Sequence, residues 1–143
     1  MAATRSATVT WNGTLAEGSG TVTAGTTGLF SDLPVSWASR TEDPEGRTSP
    51  EELLAAAHAT CFSKSLAHEL VEAGHSAPTS VETKADVTFE PGKGITGIEL
   101  TVSADVPGID AEQFQAAVAA AEKNCPVSRA LAATEINVEA TLK

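Results

Sequence analysis

The sequence predicts an α+β fold, and three observations carry that prediction. Six stretches alternate apolar and polar residues at the period of a strand, and they occur in groups instead of taking turns with helices. One long apolar stretch, Ser49 to Gly74, has helix start and stop signals at its two ends. A second helix start, at Asp110, stands between the fifth strand and the sixth. The resulting order is three strands, long helix, two strands, helix, short helix, strand, which is not the regular βαβ alternation of a doubly wound sheet. A chain of 143 residues with 41% hydrophobic and 20% charged content, and no repeat or linker, reads as a single domain, 1–143, with a substantial core.

The elements follow from their residues. Ala3 to Trp11 alternates, Asn12-Gly13 offers a turn, and Gly18 to Ala24 alternates again, which predicts a hairpin. A third strand spans Leu33 to Ala38, and the polar, turn-rich segment from Ser39 to Pro50 is a loop carrying Arg40 and Arg47. Ser49 as N-cap, Pro50 at the first helical position and Glu52 at the third form a complete capping box, and Gly74 closes the helix. Apolar residues cover nearly the whole circumference of its first four turns, so the helix is expected to be buried on all sides. Strands at Ser80–Glu90 and Ile95–Val106 are joined by PGKG. Asp110 and Gln113 then cap a helix to about Lys123, with Ile109 and Phe114 as its hydrophobic staple. Cys125, before Pro126, is the expected N-cap of a short helix, and a last strand covers Glu135 to Leu142.

Charge and composition narrow the function classes. A net charge of −10, from 19 acidic and 9 basic residues, opposes a nucleic-acid surface. The N-terminus has no apolar signal region, and His58, Lys64, His68 and Glu69 interrupt the most apolar helix, so neither secretion nor a membrane span is expected. The expected compartment is the reducing cytoplasm, where two cysteines do not form a permanent bridge.

Each candidate site residue has an inert reading beside the chemical one. Cys61 lies mid-helix in apolar surroundings, which by themselves raise a thiol pKa and leave it as core. Cys125, at a helix N-cap, sits where unpaired amides favour thiolate. His58 and Cys61, three apart, supply only two metal ligands, and neither the HExxH spacing nor a Ser-His-Asp pattern is present, so no metal site is assigned. Glu52 is accounted for by capping, whereas Glu51 has only the helix dipole to explain it, and Arg40 is by default a solvated charge.

Taken together, WNG at Trp11 with the GSG turn after it, PVSWASR ending at Arg40, SPEELLAAAHATCFS from Ser49, VPGID from Val106 and NCPVSRAL from Asn124 resemble the OsmC/Ohr family of thiol-dependent hydroperoxide reductases. The likeness extends over almost the whole chain and fits the osmotically inducible protein C branch, since the N-terminal glycine-rich turn has no arginine and SWASR supplies one. Lys64 stands where the family commonly has methionine. The resemblance implies two antiparallel sheets wrapped around a long buried central helix in an intertwined homodimer. It implies that Cys61 is the peroxidatic thiol, Cys125 the resolving thiol, and Arg40 with Glu51 the supporting polar pair. It also implies an organic hydroperoxide as substrate, an external dithiol (a small thiol or a lipoyl-type protein) as reductant, and no bound cofactor. Leu53, Leu54 and Phe62, with Phe30 or Trp37, are the expected apolar shell for the substrate. Glu51 and Cys61, ten positions apart, are about 15 Å apart along one helix axis and cannot meet within it. A non-catalytic ligand-binding or stress-related module on the same scaffold stays open as the alternative.

Overall fold

The computed structural model describes all residues from Met1 to Lys143. Contacts divide the chain into two compact units, Met1–Leu53 and Leu54–Lys143. In the first, strands β1 (Ala7–Asn12), β2 (Ser19–Ala24) and β3 (Leu33–Ser36) form an antiparallel sheet in the order β1-β2-β3. Trp11 pairs with Gly20 across β1 and β2, and its ring lies over the backbone of the neighbouring strand. A Cβ on Gly18 or Gly20 would come within 2.9 or 3.0 Å of that ring, so the GSG turn is what lets the tryptophan lie flat.

The third strand is shorter than its pattern suggested. Ser36 and Ser39 bond reciprocally, each backbone N–H donating to the other's hydroxyl at 3.3 and 3.1 Å, and this turns the chain into a short helix, α1 (Ala38–Thr41). The expected loop therefore begins with a helical turn. Its far end returns to the sheet, where the Thr48 N–H donates to the Pro34 carbonyl at 3.0 Å.

Helix α2 spans Pro50–Glu72. Ser49 Oγ accepts from the Glu52 N–H at 3.1 Å, an N-cap that contributes about 1 kcal/mol. The box is one-sided, however, because the Glu52 carboxylate takes the Thr48 hydroxyl at 2.7 Å. At the other end Gly74 adopts φ 85°, and His75 N–H to Leu70 O with Gly74 N–H to Val71 O completes a Schellman motif. The helix is not buried on all sides within one chain. His58, Phe62, Leu66 and Leu70 recur every fourth residue as a fully buried stripe, while Ala56, Ala57, Thr60 and Lys64 are exposed. The small alanines make these turns apolar all round, but this chain supplies neighbours for one face only.

In the second unit β4 (Ser80–Glu90) pairs antiparallel with β5 (Gly94–Asp105), as the hairpin signal required. The last strand, β6 (Ile136–Leu142), instead runs parallel to β5, from Ile98 beside Ile136 to Ala104 beside Leu142. The expectation of two antiparallel sheets is thus corrected: the second sheet is mixed. The reason lies in the connection, since α3 (Ala111–Asn124) and α4 (Pro126–Ala130) carry the chain back to the same end before β6 starts. Asp110 and Gln113 form the full capping box on α3. The core of this unit joins the α2 stripe to Ile98, Leu100, Val102 and Ala104 of β5 and to Phe114, Ala117, Val118 and Ala121 of α3. No helix is long and apolar enough to cross a membrane.

Candidate active site

The first unit holds a built cation. Arg40 meets Glu51 side-on, its Nε lying 3.1 Å from both carboxylate oxygens and its Nη2 2.5 Å from Oε1. Glu51 is 8% exposed and Arg40 24%, so the pair is largely withdrawn from water and, being bidentate, fixed in orientation. The guanidinium carbon also lies 5.6 Å from the centroid of the Trp37 ring. Ser39 sets the position, since its hydroxyl lies 2.8 Å from the carbonyls of Ser36 and Thr48 and so ties α1 to the residue before the N-cap. Arg47 contrasts with Arg40, because its partner is Glu45 and both are exposed. Beside Arg40 opens a groove of about 520 Å³ lined by Val9, Trp11, Leu15, Val35, Trp37 and Leu53 among others, almost wholly apolar.

The second unit holds the thiols, both free. Cys61, on α2, and Cys125, between α3 and α4, are 64 positions apart in sequence yet lie near enough for each to act on the other's pKa. Burial pushes Cys61 up; the Val127 amide opposes this, Cys125 adds to it, and Lys64 pulls weakly down, leaving the thiol above its ordinary range. Cys125 is fully buried, which raises it, yet the nearby Ser128, Cys61 and Val127 outweigh burial and bring it below its ordinary range. It is the N-cap of α4, as the sequence indicated, although its sulfur makes no capping hydrogen bond. Cys125 is therefore the more acidic of the two thiols.

His58 extends the cluster. Its Nε2 lies 2.7 Å from Ser128 Oγ, both residues are buried, and burial holds the imidazole below its usual pKa. Ser128, three positions after the N-cap Cys125, thus joins His58 to the start of α4. Ser128 carries only one local signal in the sequence, its place in a CPxS turn three positions after the cysteine. Ser39 has one as well, since the Ser36–Ser39 spacing is that of a side-chain cap.

The structure brings Arg40 to Glu51 and Cys61 to Cys125. The apolar shell is distributed differently from its expected form. Leu53 and Trp37 line the groove beside Arg40, Leu54 and Phe30 are half-buried, and Phe62 is fully buried in the core of the second unit. The place of Phe62 as a substrate contact is corrected to packing, because a side chain with no exposed surface among Leu66 and β5 cannot line an open site. The open side of Cys61 faces a hollow of about 530 Å³ lined by Lys64, Ser65, His68, Glu69, Asn124 and Pro126. No group of three or more His, Cys, Asp or Glu side chains forms a metal cluster.

Comparison with known proteins assigns the scaffold. Residues 42–141 match the family described as OsmC-like protein. The chain is 43% identical over 136 residues to peroxiredoxin OsmC of Escherichia coli (strain K12), covering 93% of this chain and 92% of that one. It is 31% identical over 114 residues to the organic hydroperoxide resistance protein OhrA of Bacillus subtilis (strain 168), covering 78% and 77%. Among solved structures, the organic hydroperoxide resistance protein OhrB of Bacillus subtilis superposes with a TM-score of 0.64 at 27% identity, over 96% of this chain and 98% of that one.

Proposed function

The chain belongs to the OsmC-like family and is a thiol-dependent hydroperoxide-reducing enzyme, and from that premise we propose that it reduces organic hydroperoxides through Cys61 and Cys125. The Cys61 thiolate attacks the distal oxygen of ROOH, the O–O bond breaks, and the electron pair leaves with RO⁻, which takes a proton to become ROH. Cys61 is left as sulfenic acid. Cys125 then attacks the Cys61 sulfur, the S–O bond breaks, and hydroxide leaves as water with the proton that Cys125 gave up. An external dithiol, a small thiol or a lipoyl-type protein, reduces the disulfide by exchange. The observation that carries this reading is that the only two cysteines, 64 positions apart in sequence, lie close to each other.

Arg40 and Glu51 complete the site from a second copy of the chain. Burial leaves Cys61 too basic to attack well, and Lys64 corrects this only weakly. A guanidinium is the simplest source of the missing charge, and it also stabilises the oxyanion that leaves. Glu51 cannot carry Arg40 to Cys61 along one helix, since ten residues span about 15 Å. A homodimer in which two α2 helices meet by their exposed alanine faces brings the partner's pair into reach, and covers Val9, Leu15 and Leu29, which are 57%, 63% and 86% exposed. The groove beside Arg40 then receives the organic part of the peroxide.

The deciding experiment is hydroperoxide consumption under a dithiol, with light scattering on the same samples. Turnover by a dimer, lost in Cys61→Ser, is the expected result. Undiminished turnover in Cys61→Ser would assign the chemistry elsewhere, and a stable, active monomer would remove the cross-chain role of Arg40.

A further inference from the structure

We infer that His58 and Ser128 are positioning residues for the resolving thiol: the neutral imidazole donates its Nε2–H to Ser128 Oγ, which turns the hydroxyl hydrogen onto the Cys125 sulfur. The inference rests on the role proposed above for Cys125 and adds two residues to it.

Ser128 stands three positions after Cys125, the N-cap of α4, where a side chain can turn back towards the cap residue, and its hydroxyl meets His58 of α2. His58 and Cys125 are fully buried and Ser128 is 8% exposed, so solvent does not compete for these hydrogen bonds. The 2.7 Å contact between His58 Nε2 and Ser128 Oγ fixes one end. Direction follows from counting protons. A serine hydroxyl has one hydrogen, and if it is given to sulfur the oxygen must accept from His58, which requires the Nε2–H tautomer. That tautomer leaves Nδ1 bare, and Nδ1 is the one buried side-chain nitrogen or oxygen without a hydrogen-bond partner. The opposite tautomer would bury an unpaired N–H and would turn the serine hydrogen away from the sulfur. A lone pair without a donor is the lesser penalty of the two, and it comes with a polarised hydroxyl aimed at the thiol.

The consequence falls on the second chemical step. Cys125 must present a lone pair to the Cys61 sulfur while its proton departs with the hydroxide. A hydroxyl donated to Cys125 favours the thiolate and orients the sulfur for attack on Cys61. Peroxide attack, the first step, takes place on Cys61 and does not require the pair.

The test separates the two steps on one sample. Reduced protein is mixed with one equivalent of cumene hydroperoxide and quenched at intervals, sulfenic acid being read by dimedone trapping and the disulfide by mass spectrometry. Ser128→Ala and His58→Leu are expected to prolong the sulfenic acid about tenfold, the value of one charge-assisted hydrogen bond, with sulfenic acid formation unchanged. Ser128→Thr and His58→Gln, which keep the hydroxyl and an N–H donor, restore the wild-type decay. An unchanged sulfenic acid lifetime in folded Ser128→Ala overturns the inference. Nitrogen NMR of the His58 ring in the wild type supplies a readout that needs no variant to fold: Nε2–H is required, and an Nδ1–H tautomer overturns the inference. If peroxide yields no sulfenic acid in the wild type, the functional reading has failed instead. Oxidation by diamide, which takes two electrons and two protons from the thiols to give the hydrazine and the disulfide, then still compares the reactivity of Cys125 in the same variants.

Discussion

The two units of the chain manage buried polarity in opposite ways. Residues 1–53 bury a charged pair, Arg40 with Glu51, and fix it by a bidentate contact and a ring face. Residues 54–143 bury a neutral pair, His58 hydrogen-bonded to Ser128, beside Cys125. A buried ion pair is costly to desolvate and unreliable as a source of stability, so its retention points to what the charge does outside itself. A neutral pair costs less to bury, but it supplies no charge to Cys61, whose pKa burial pushes up. The lesson is one of division: the cation that would activate a thiol and the thiol that needs activating are built by different parts of the chain, which is the ground for the homodimer proposed above.

The sharpest way to break this comparison is to remove each thiol separately. Cys61→Ser is expected to abolish turnover. Cys125→Ser should still consume about one equivalent of peroxide per Cys61 and then stall or over-oxidise, because the sulfenic acid has lost its internal partner. Peroxide titration with mass spectrometry checks it. Loss of the first equivalent in both mutants would erase the distinction between attacking and resolving thiol.

Next in size is the cation. Arg40→Met should slow peroxide attack about 10²–10³-fold at neutral pH, the usual cost of removing one charge-stabilising donor, and should raise the Cys61 pKa. Glu51→Ala acts in the same direction but less, since the guanidinium remains without its clamp. Arg47→Met should change little, because Arg47 pairs only with exposed Glu45. Stopped-flow attack rates across pH rank the three, and an equal or larger loss in Arg47→Met would move the charge to the wrong side of α1.

How far these features were legible in the sequence depends on how local they are. Ser49, Asp110, Gly74 and the PGKG turn act within one helical turn or one hairpin, and each formed where its neighbours indicated. Features set by distant partners were harder to read. The direction of β6 depends on where α3 and α4 return the chain, which no alternation in Glu135–Leu142 records. The exposed face of α2 carries alanines that look like core, because apolarity says nothing about whether one chain or two will cover it. In the site, Arg40 and Glu51 were singled out by elimination and by family pattern, and they do pair. The link from His58 to Ser128 spans 70 positions and leaves no periodic trace. Phe62, by contrast, was misplaced because an aromatic beside a cysteine suits a substrate wall and a core equally well.

A smaller effect sharpens the contrast between the apolar groove of the first unit and the hollow at Cys61, which charged and polar side chains rim. Each buried methylene of a substrate contributes about 0.8 kcal/mol, so cumene and tert-butyl hydroperoxides should exceed hydrogen peroxide in kcat/KM. Leu53→Ala should narrow the preference for the bulkier peroxides severalfold and leave hydrogen peroxide nearly unchanged. A preference for hydrogen peroxide would remove the groove as the binding site.

The smallest expected effect tests the neutral pair through stability alone. Burial holds the pKa of His58 below its ordinary 6.5, so on acidification the unfolded chain takes up this proton before the folded one does. The sign follows directly. Stability from this residue is fully present above pH 6.5 and is lost as pH falls from there towards the folded pKa, with a slope of at most about 1.4 kcal/mol per pH unit. His58→Gln, which keeps a donor for Ser128 but does not titrate, should start less stable through imperfect packing and yet show a shallower acid slope over this window. Urea midpoints at several pH values decide it. Parallel slopes in the two proteins would mean that His58 is no more reluctant to take a proton in the fold than outside it, and the buried pair would have to be regarded as open to charge, like the arginine–glutamate pair at the other end of the helix.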